Sequence, residues 1–270
     1  TVEGVPMLMG YTGGADLYDL DTSMPEIEVQ WLTTTDGLNW EAYVTGQATV
    51  HTGGGSETDW AFAMDGAVIA VMRNEAGDED GWGSKICRGE PGALGDWECI
   101  PDPRKFDSPL LFSHDDRIWL IARRNVTDTG AYDLEMRDLS HREQTTAYSI
   151  DYWQHPKRCS LWEVDAYTLT VDLVLDLPSR GDTCFASILP ILGPTLIGTI
   201  IGHVLGNLVL IPPLPAEPEG KTPIFRDEHP ALQRAISDGG CCGGKLWRIS
   251  EVRRFTEILV GLVLVTGGFQ

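Results

Sequence analysis

Basic side chains are scarce in this chain: 20 Lys and Arg stand against 40 Asp and Glu, a formal charge of −20 over 270 residues. So acidic a surface repels a phosphate backbone, and nucleic acid is excluded as the expected partner. Metal-ligand spacing is missing as well. The six cysteines (Cys87, Cys99, Cys159, Cys184, Cys241 and Cys242) form no Cys-x-x-Cys pair and have no histidines clustered beside them, so no zinc or other cofactor is expected. The acidic stretch Glu75 to Asp80 offers hard oxygen ligands for Ca²⁺ but lacks the Asp-x-Asp-x-Asp-Gly register, and a solvated acidic turn is the expectation there. Helix signals are few, Arg226 to Ile236 being the one convincing short helical stretch. Nothing at Thr1 resembles a charged segment leading into an apolar one.

What the chain has in quantity is 30 Gly, 16 Pro and 9 Trp. Tight turns use the first two and pleated strands carry aromatics, which predicts an all-β fold. From Thr183 to Ala216 there is no Asp, Glu, Lys or Arg, and the run is long enough to span a bilayer. Pro190, Pro194, Pro212 and Pro213, with Gly193, Gly198, Gly202 and Gly206, cut it into strand-length pieces at Thr195 to Ile201 and Asn207 to Ile211. Buried strands are therefore expected in place of a membrane helix. Cys87 and Cys99 flank a turn-rich stretch and either bridge neighbouring strands or stay as buried thiols. With the sequon Asn125-Val126-Thr127, they point to an extracytoplasmic or secreted protein.

A repeat of about fifty residues runs through the first two thirds of the chain, a period typical of propeller blades. Glu57 opens an apolar strand that turns at Met64-Asp65-Gly66 into Val68 to Met72 and ends at Arg73. Asp107 opens another that turns at Ser113 to Asp116 into Ile118 to Ala122 and ends at Arg123. Acid and arginine stand sixteen residues apart in both copies. A third copy starts at Asp182 but has Gly198 where the arginine is expected. Further strands are read at Ser84 to Arg88, Asp96 to Ile100, Tyr132 to Arg137, Cys159 to Asp165 and Thr168 to Leu175, which would complete four-stranded blades. The reading is a β-propeller of about five four-stranded blades over residues 1–270. The repeat is clearest in 28–190, 212–245 reads as loop or linker, and 246–270 reads as possible closing strands.

Ahead of the first hairpin, Thr34-Thr35-Asp36-Gly37-Leu38-Asn39-Trp40 resembles the Asp-box of the sialidase-like (BNR-repeat) propellers, one residue tighter than the fuller form, and Gly95-Asp96-Trp97 resembles a worn second copy. That resemblance implies a glycosidase. Sialidases hold their substrate's carboxylate with three arginines and use a tyrosine nucleophile, for which Tyr132 and Tyr152 are the candidates here. Five-bladed propellers of the arabinanase-like group use three channel acids instead, which the three repeat acids resemble equally well.

The first strand of each blade lines a propeller's channel, so Glu57, Asp107 and Asp182 are expected around one axis as acid, base or nucleophile. Arg73, Arg123 and Arg124 either grip an anionic sugar or balance those acids, since a structural Glu–Arg or Asp–Arg pair produces the same spacing. Trp82, between two glycines after an acidic loop, is expected to contact sugar; Trp60, Trp119 and Trp162 are expected to pack blades together. The expected partner is a carbohydrate, hydrolysed. The competing readings are a non-catalytic propeller that binds glycan or protein, and a membrane-associated subunit using the uncharged run.

Overall fold

The computed structural model describes residues 5–13, 26–177, 179, 183–190, 196–202 and 207–211. Its strands form four antiparallel sheets in chain order. The first holds β1 (Met7–Gly13), β2 (Ile27–Thr33), β3 (Glu41–Ala42) and β4 (Thr49–Gly53), with β3 and β4 both pairing β2. The second is a meander of β5 (Gly55–Phe62), β6 (Val68–Asp78), β7 (Gly81–Gly89) and β8 (Trp97–Asp102). The third repeats it with β9 (Asp107–His114), β10 (Arg117–Asn125), β11 (Lys157–Val164) and β12 (Val171–Asp176), and carries the helix α1 (His141–Gln154) between β10 and β11. The fourth runs β13 (Thr183–Pro190), β14 (Leu196–Gly202) and β15 (Asn207–Ile211). The opening strands β1, β5, β9 and β13 lie side by side in that order, the arrangement of blades around an axis. This is an all-β propeller.

The apolar runs in the second strand of each repeat follow from burial on both faces. Val68, Ala70 and Met72 pack against Val29, Trp31 and Val50 of the first sheet. Their neighbours Ile69 and Val71 pack with Phe106, Leu111, Ile118, Leu120 and Ala122 of the third. One sheet further on, Trp119 and Ile121 join Cys159, Leu161 and Cys184 towards the fourth. A strand between two blades has no solvent side, so its pattern is a continuous run and not an alternation. Trp60, Trp119 and Trp162 take part in this packing, as expected.

The uncharged run forms β13, β14 and β15, in the pieces that its prolines and glycines mark. Among the described residues no helix is long and apolar enough to cross a membrane. Tyr132 to Arg137 is not a strand but part of the connection to α1. Ser140 caps that helix, its hydroxyl accepting from the Glu143 N–H while the Glu143 carboxylate accepts from the Ser140 N–H. The linker at 212–245, the helix expected at Arg226 to Ile236, the paired Cys241 and Cys242, the closing strands at 246–270 and any fifth blade lie outside the described residues.

Cys87 and Cys99 face each other directly across β7 and β8 and form a disulfide. A second disulfide, Cys159–Cys184, ties β11 to β13 and so joins the third sheet to the fourth. Disulfides persist in oxidising compartments. Closing 25 residues where Cys87–Cys99 closes 12, the inter-sheet bridge restrains the unfolded chain more. The Cys159→Ala/Cys184→Ala double variant is expected to lose about 3 kcal/mol of stability, roughly 0.6 kcal/mol more than the Cys87→Ala/Cys99→Ala variant. Guanidinium unfolding of both variants, with equal losses or the reverse order as the refuting outcome, checks it.

Candidate active site at the channel mouth

The two repeat units bring their acids and arginines to one end of the sheets, where β5 and β9 begin and β6 and β10 end. The sixteen-residue spacing closes an ion pair within each hairpin: Arg73 Nη1 lies 3.1 Å from Glu57 Oε2, and Arg123 Nη2 lies 3.1 Å from Asp107 Oδ2. The hairpins are also joined to each other. Arg73 shares the face of Ile69 and Val71, turned towards the third sheet, and reaches Asp107 Oδ1 at 3.3 Å. A chain of alternating charge, Glu57–Arg73–Asp107–Arg123, therefore crosses the junction of the second and third sheets. Glu75 joins it through Arg73, and Lys105 Nζ stands 3.5 Å from Asp107 and 3.7 Å from Glu75.

Asp107 is the hub. Its side chain is 0 % exposed, and the Tyr152 hydroxyl donates to it as well. Burial opposes its charge, but the positive Lys105, Arg123 and Arg73, with the Tyr152 phenol, hold its carboxyl below the usual aspartate range. The arginines respond in kind: against the opposing effect of burial, Asp107, Glu75 and Glu57 raise Arg73, and Asp107 raises Arg123. Glu57 differs from Asp107 in exposure, with 34 % of its side chain open to solvent. It accepts the backbone N–H of Ser108 at 2.9 Å, which that residue presents from a left-handed conformation at φ +50°.

Helix α1 closes the outer side of the cluster. Tyr148 and Tyr152 are the aromatic part of its buried face, packed with Tyr132 and Trp82. Lys157, at the start of β11, donates to the Tyr152 and His155 carbonyls, which satisfies the C-terminal end of α1. Burial, with the positive charge of Arg123 nearby, lowers this lysine to about 8. The two tyrosines considered as nucleophiles are both buried. Burial pushes the Tyr132 phenol up to about 12, and burial together with the Asp107 charge pushes Tyr152 higher than an ordinary phenol. Both phenols stay protonated, and that of Tyr152 is engaged with Asp107.

The remaining expected residues fall elsewhere. Arg124 points away from Arg123 and holds Asp176 of β12 through two hydrogen bonds of 2.7 and 2.8 Å. Trp82 lies not in a loop but inside β7, 4 % exposed, with its ring stacked on His141 and edged by Tyr148. The flanking glycines that make the segment look loop-like are there because Gly81 and Gly83 adopt φ of +106° and +108°, Gly81 against Asp133 and Arg137 of the connection to α1 and Gly83 against the Asp102 carbonyl of β8. Trp82 therefore has no face left for a sugar. The acidic loop is occupied internally: Asp78 and Asp80 pair with Lys85 at 2.8 and 2.6 Å. No group of three or more metal-ligating side chains converges among the described residues. Asp36 nucleates its turn by accepting the N–H groups of Asn39 and Leu38, each at 2.8 Å, while Trp40 is 42 % exposed and does not fold over it. Asp182 lies outside the described residues.

One acid of the same strand escapes the repeat comparison. Asp59 stands opposite Val71 in the β5–β6 register, on the face that Ala61 buries towards the third sheet. Its carboxylate accepts the Leu111 N–H of β9 at 2.7 Å. Burial outweighs the Leu111 and Trp60 N–H groups and raises it to about 6. The pattern that could have found it is its position two residues after Glu57 on one strand, where side chains return to the same face.

No protein-family model matches the chain, and no curated protein matches it. Among solved structures it is similar to a GH43 endo-arabinanase from Bacillus licheniformis, with a TM-score of 0.37 and 9 % identity over 77 % of this chain and 69 % of that one. A thermostable family-43 glycoside hydrolase gives a TM-score of 0.38 and 9 % identity over 78 % and 74 %.

Proposed function

We propose that the channel mouth is the site of a glycoside hydrolase that works with inner-strand carboxylates, in an extracytoplasmic protein. The observation that carries this reading is the contrast between two repeat acids on one charge chain. Asp107 is sealed and compensated on every side, whereas Glu57, fixed by the same Arg73, opens to solvent. An accessible carboxylate held in place by a rigid, charge-balanced cluster is preorganised to face the positive charge that develops in an oxocarbenium-like transition state. Glu57 is the base or nucleophile in this reading, and Asp107 and Arg73 position it. The burial and raised phenols of Tyr132 and Tyr152 favour carboxylate chemistry over a sialidase-type tyrosine.

The second reading is a non-catalytic propeller that binds glycan. It draws on the same cluster, in which Arg73, Arg123 and Lys105 are all paired with carboxylates and hold two sheets together. A panel of aryl glycosides and sialosides separates the two. Turnover by the native chain that falls about 10²- to 10⁴-fold in Glu57→Gln, with an unchanged melting temperature, is the expected result. Silence across the panel with retained glycan binding selects the second reading.

A further inference from the structure

We propose that Asp59 is the proton donor of this site, the acid that protonates the leaving oxygen of the glycosidic bond. The inference rests on the hydrolase reading above. Glu57 and Asp59 leave β5 on the same side: each accepts a backbone N–H of β9, Ser108 for Glu57 at 2.9 Å and Leu111 for Asp59 at 2.7 Å. Two residues along a strand set their backbones about 7 Å apart, the scale on which paired glycosidase carboxyls work.

Their electrostatic surroundings differ. Glu57 has Arg73 of β6 at 3.1 Å. Asp59 has no cation paired to it among the described residues. Of the cluster's charged groups, Glu57 shares its strand, Arg73 stands on the adjacent β6 and Asp107 on β9, and both of those acids are already paired with that arginine. Asp59 is half-buried against Val71 and the third sheet, and its carboxyl is raised to about 6 by that burial. A carboxyl that stays protonated in weak acid, beside one anchored by an arginine, is the division of labour that acid catalysis needs.

In the step, the Asp59 carboxylic acid passes its proton to the glycosidic oxygen as the bond from that oxygen to the anomeric carbon breaks, and the alcohol departs. Water bonds to the anomeric carbon and its proton passes to the Glu57 carboxylate. Exchange with solvent returns the proton to Asp59, so the net change is hydrolysis alone.

The test compares Asp59→Asn with the native chain on two aryl glycosides of the hydrolysed sugar, one with a dinitrophenol leaving group and one with an unactivated phenol. On the unactivated substrate the variant is expected to lose about 10²- to 10⁴-fold. On the dinitrophenyl glycoside, whose leaving group departs without a proton, it is expected to lose less than about tenfold, and the fall in native activity above pH 6 should disappear. Equal losses on both substrates, or an unchanged pH profile, overturn the proposal. Native turnover with a fully active Asp59→Asn sinks Asp59 alone, whereas a native chain inactive on every glycoside sinks the hydrolase reading and this proposal with it. Asp59→Asn should melt at or above the native temperature at pH 7.5, because it removes a charge that burial disfavours. Should it fail to fold, a carbon-13 titration of Asp59 in the native chain decides: a midpoint near 6 supports the assignment, and one near 4 refutes it.

Discussion

Asp107→Ala is expected to cost about 3–5 kcal/mol of folding stability, because removing one partner of a buried ion network leaves the others charged and out of water. Asp107 is fully buried and faces Arg73, Arg123, Lys105 and the Tyr152 hydroxyl. Its loss leaves those three cations with Glu57 and Glu75 alone among the cluster's acids. Asp107→Asn keeps the volume but turns two amide hydrogens towards donors, so it too should lose stability. The pH dependence has a definite sign. The native carboxyl lies below its unfolded value, so its contribution is present above about pH 4 and is lost as pH falls through the lowered native value. Urea unfolding at pH 7 and pH 3 reads both effects: the gap between native and Asp107→Ala should be large at pH 7 and narrow towards pH 3. A loss below about 1 kcal/mol at pH 7 would mean that the cations are compensated without Asp107.

The sixteen-residue spacing made the two hairpin ion pairs legible before any coordinates, because strand register converts equal spacing into equal position. The same spacing is silent on what crosses between blades. That Arg73 also serves Asp107 depends on which face of β6 meets the third sheet, and residues buried on both faces carry no alternation from which to read it. Arg124 shows the complementary failure: next to Arg123 in sequence, it leaves the opposite face of β10 and pairs with Asp176 of β12 instead. Helix α1 was readable in principle through Ser140 and Glu143, three residues apart as a capping box requires. Its buried side is made of Gln144, Tyr148 and Tyr152, so the apolar periodicity that usually signals a helix is absent. Asp59 was hidden for a related reason. Its place two residues after Glu57 puts it on the same face, but only contact with β9 separates it from an ordinary polar residue of the strand.

Trp82→Ala is expected to cost about 3–5 kcal/mol and to loosen α1, whereas Trp82→Phe should cost much less and leave carbohydrate binding unchanged. The indole is 4 % exposed between His141, 5.1 Å away in a stacked arrangement, and Tyr148, 5.3 Å away edge-on. On the other side the backbone is already at contact distance: a Cβ placed on Gly77 would come within 2.4 Å of the ring. Truncation therefore opens a cavity lined by strand and helix that cannot collapse without moving one of them. The indole N–H has no hydrogen-bond partner among the described residues, so phenylalanine sacrifices packing but no polar contact. Because Tyr152 on the same helix donates to Asp107, loosening α1 also weakens the support of the charge chain, and on the proposed hydrolase reading Trp82→Ala should reduce turnover as well as stability. Chemical unfolding of both variants, with glycan affinity measured on Trp82→Phe, tests this. Reduced affinity in a Phe variant of native stability would return Trp82 to the role of a sugar platform, while native affinity leaves it as the wedge that seats α1 beside the channel mouth.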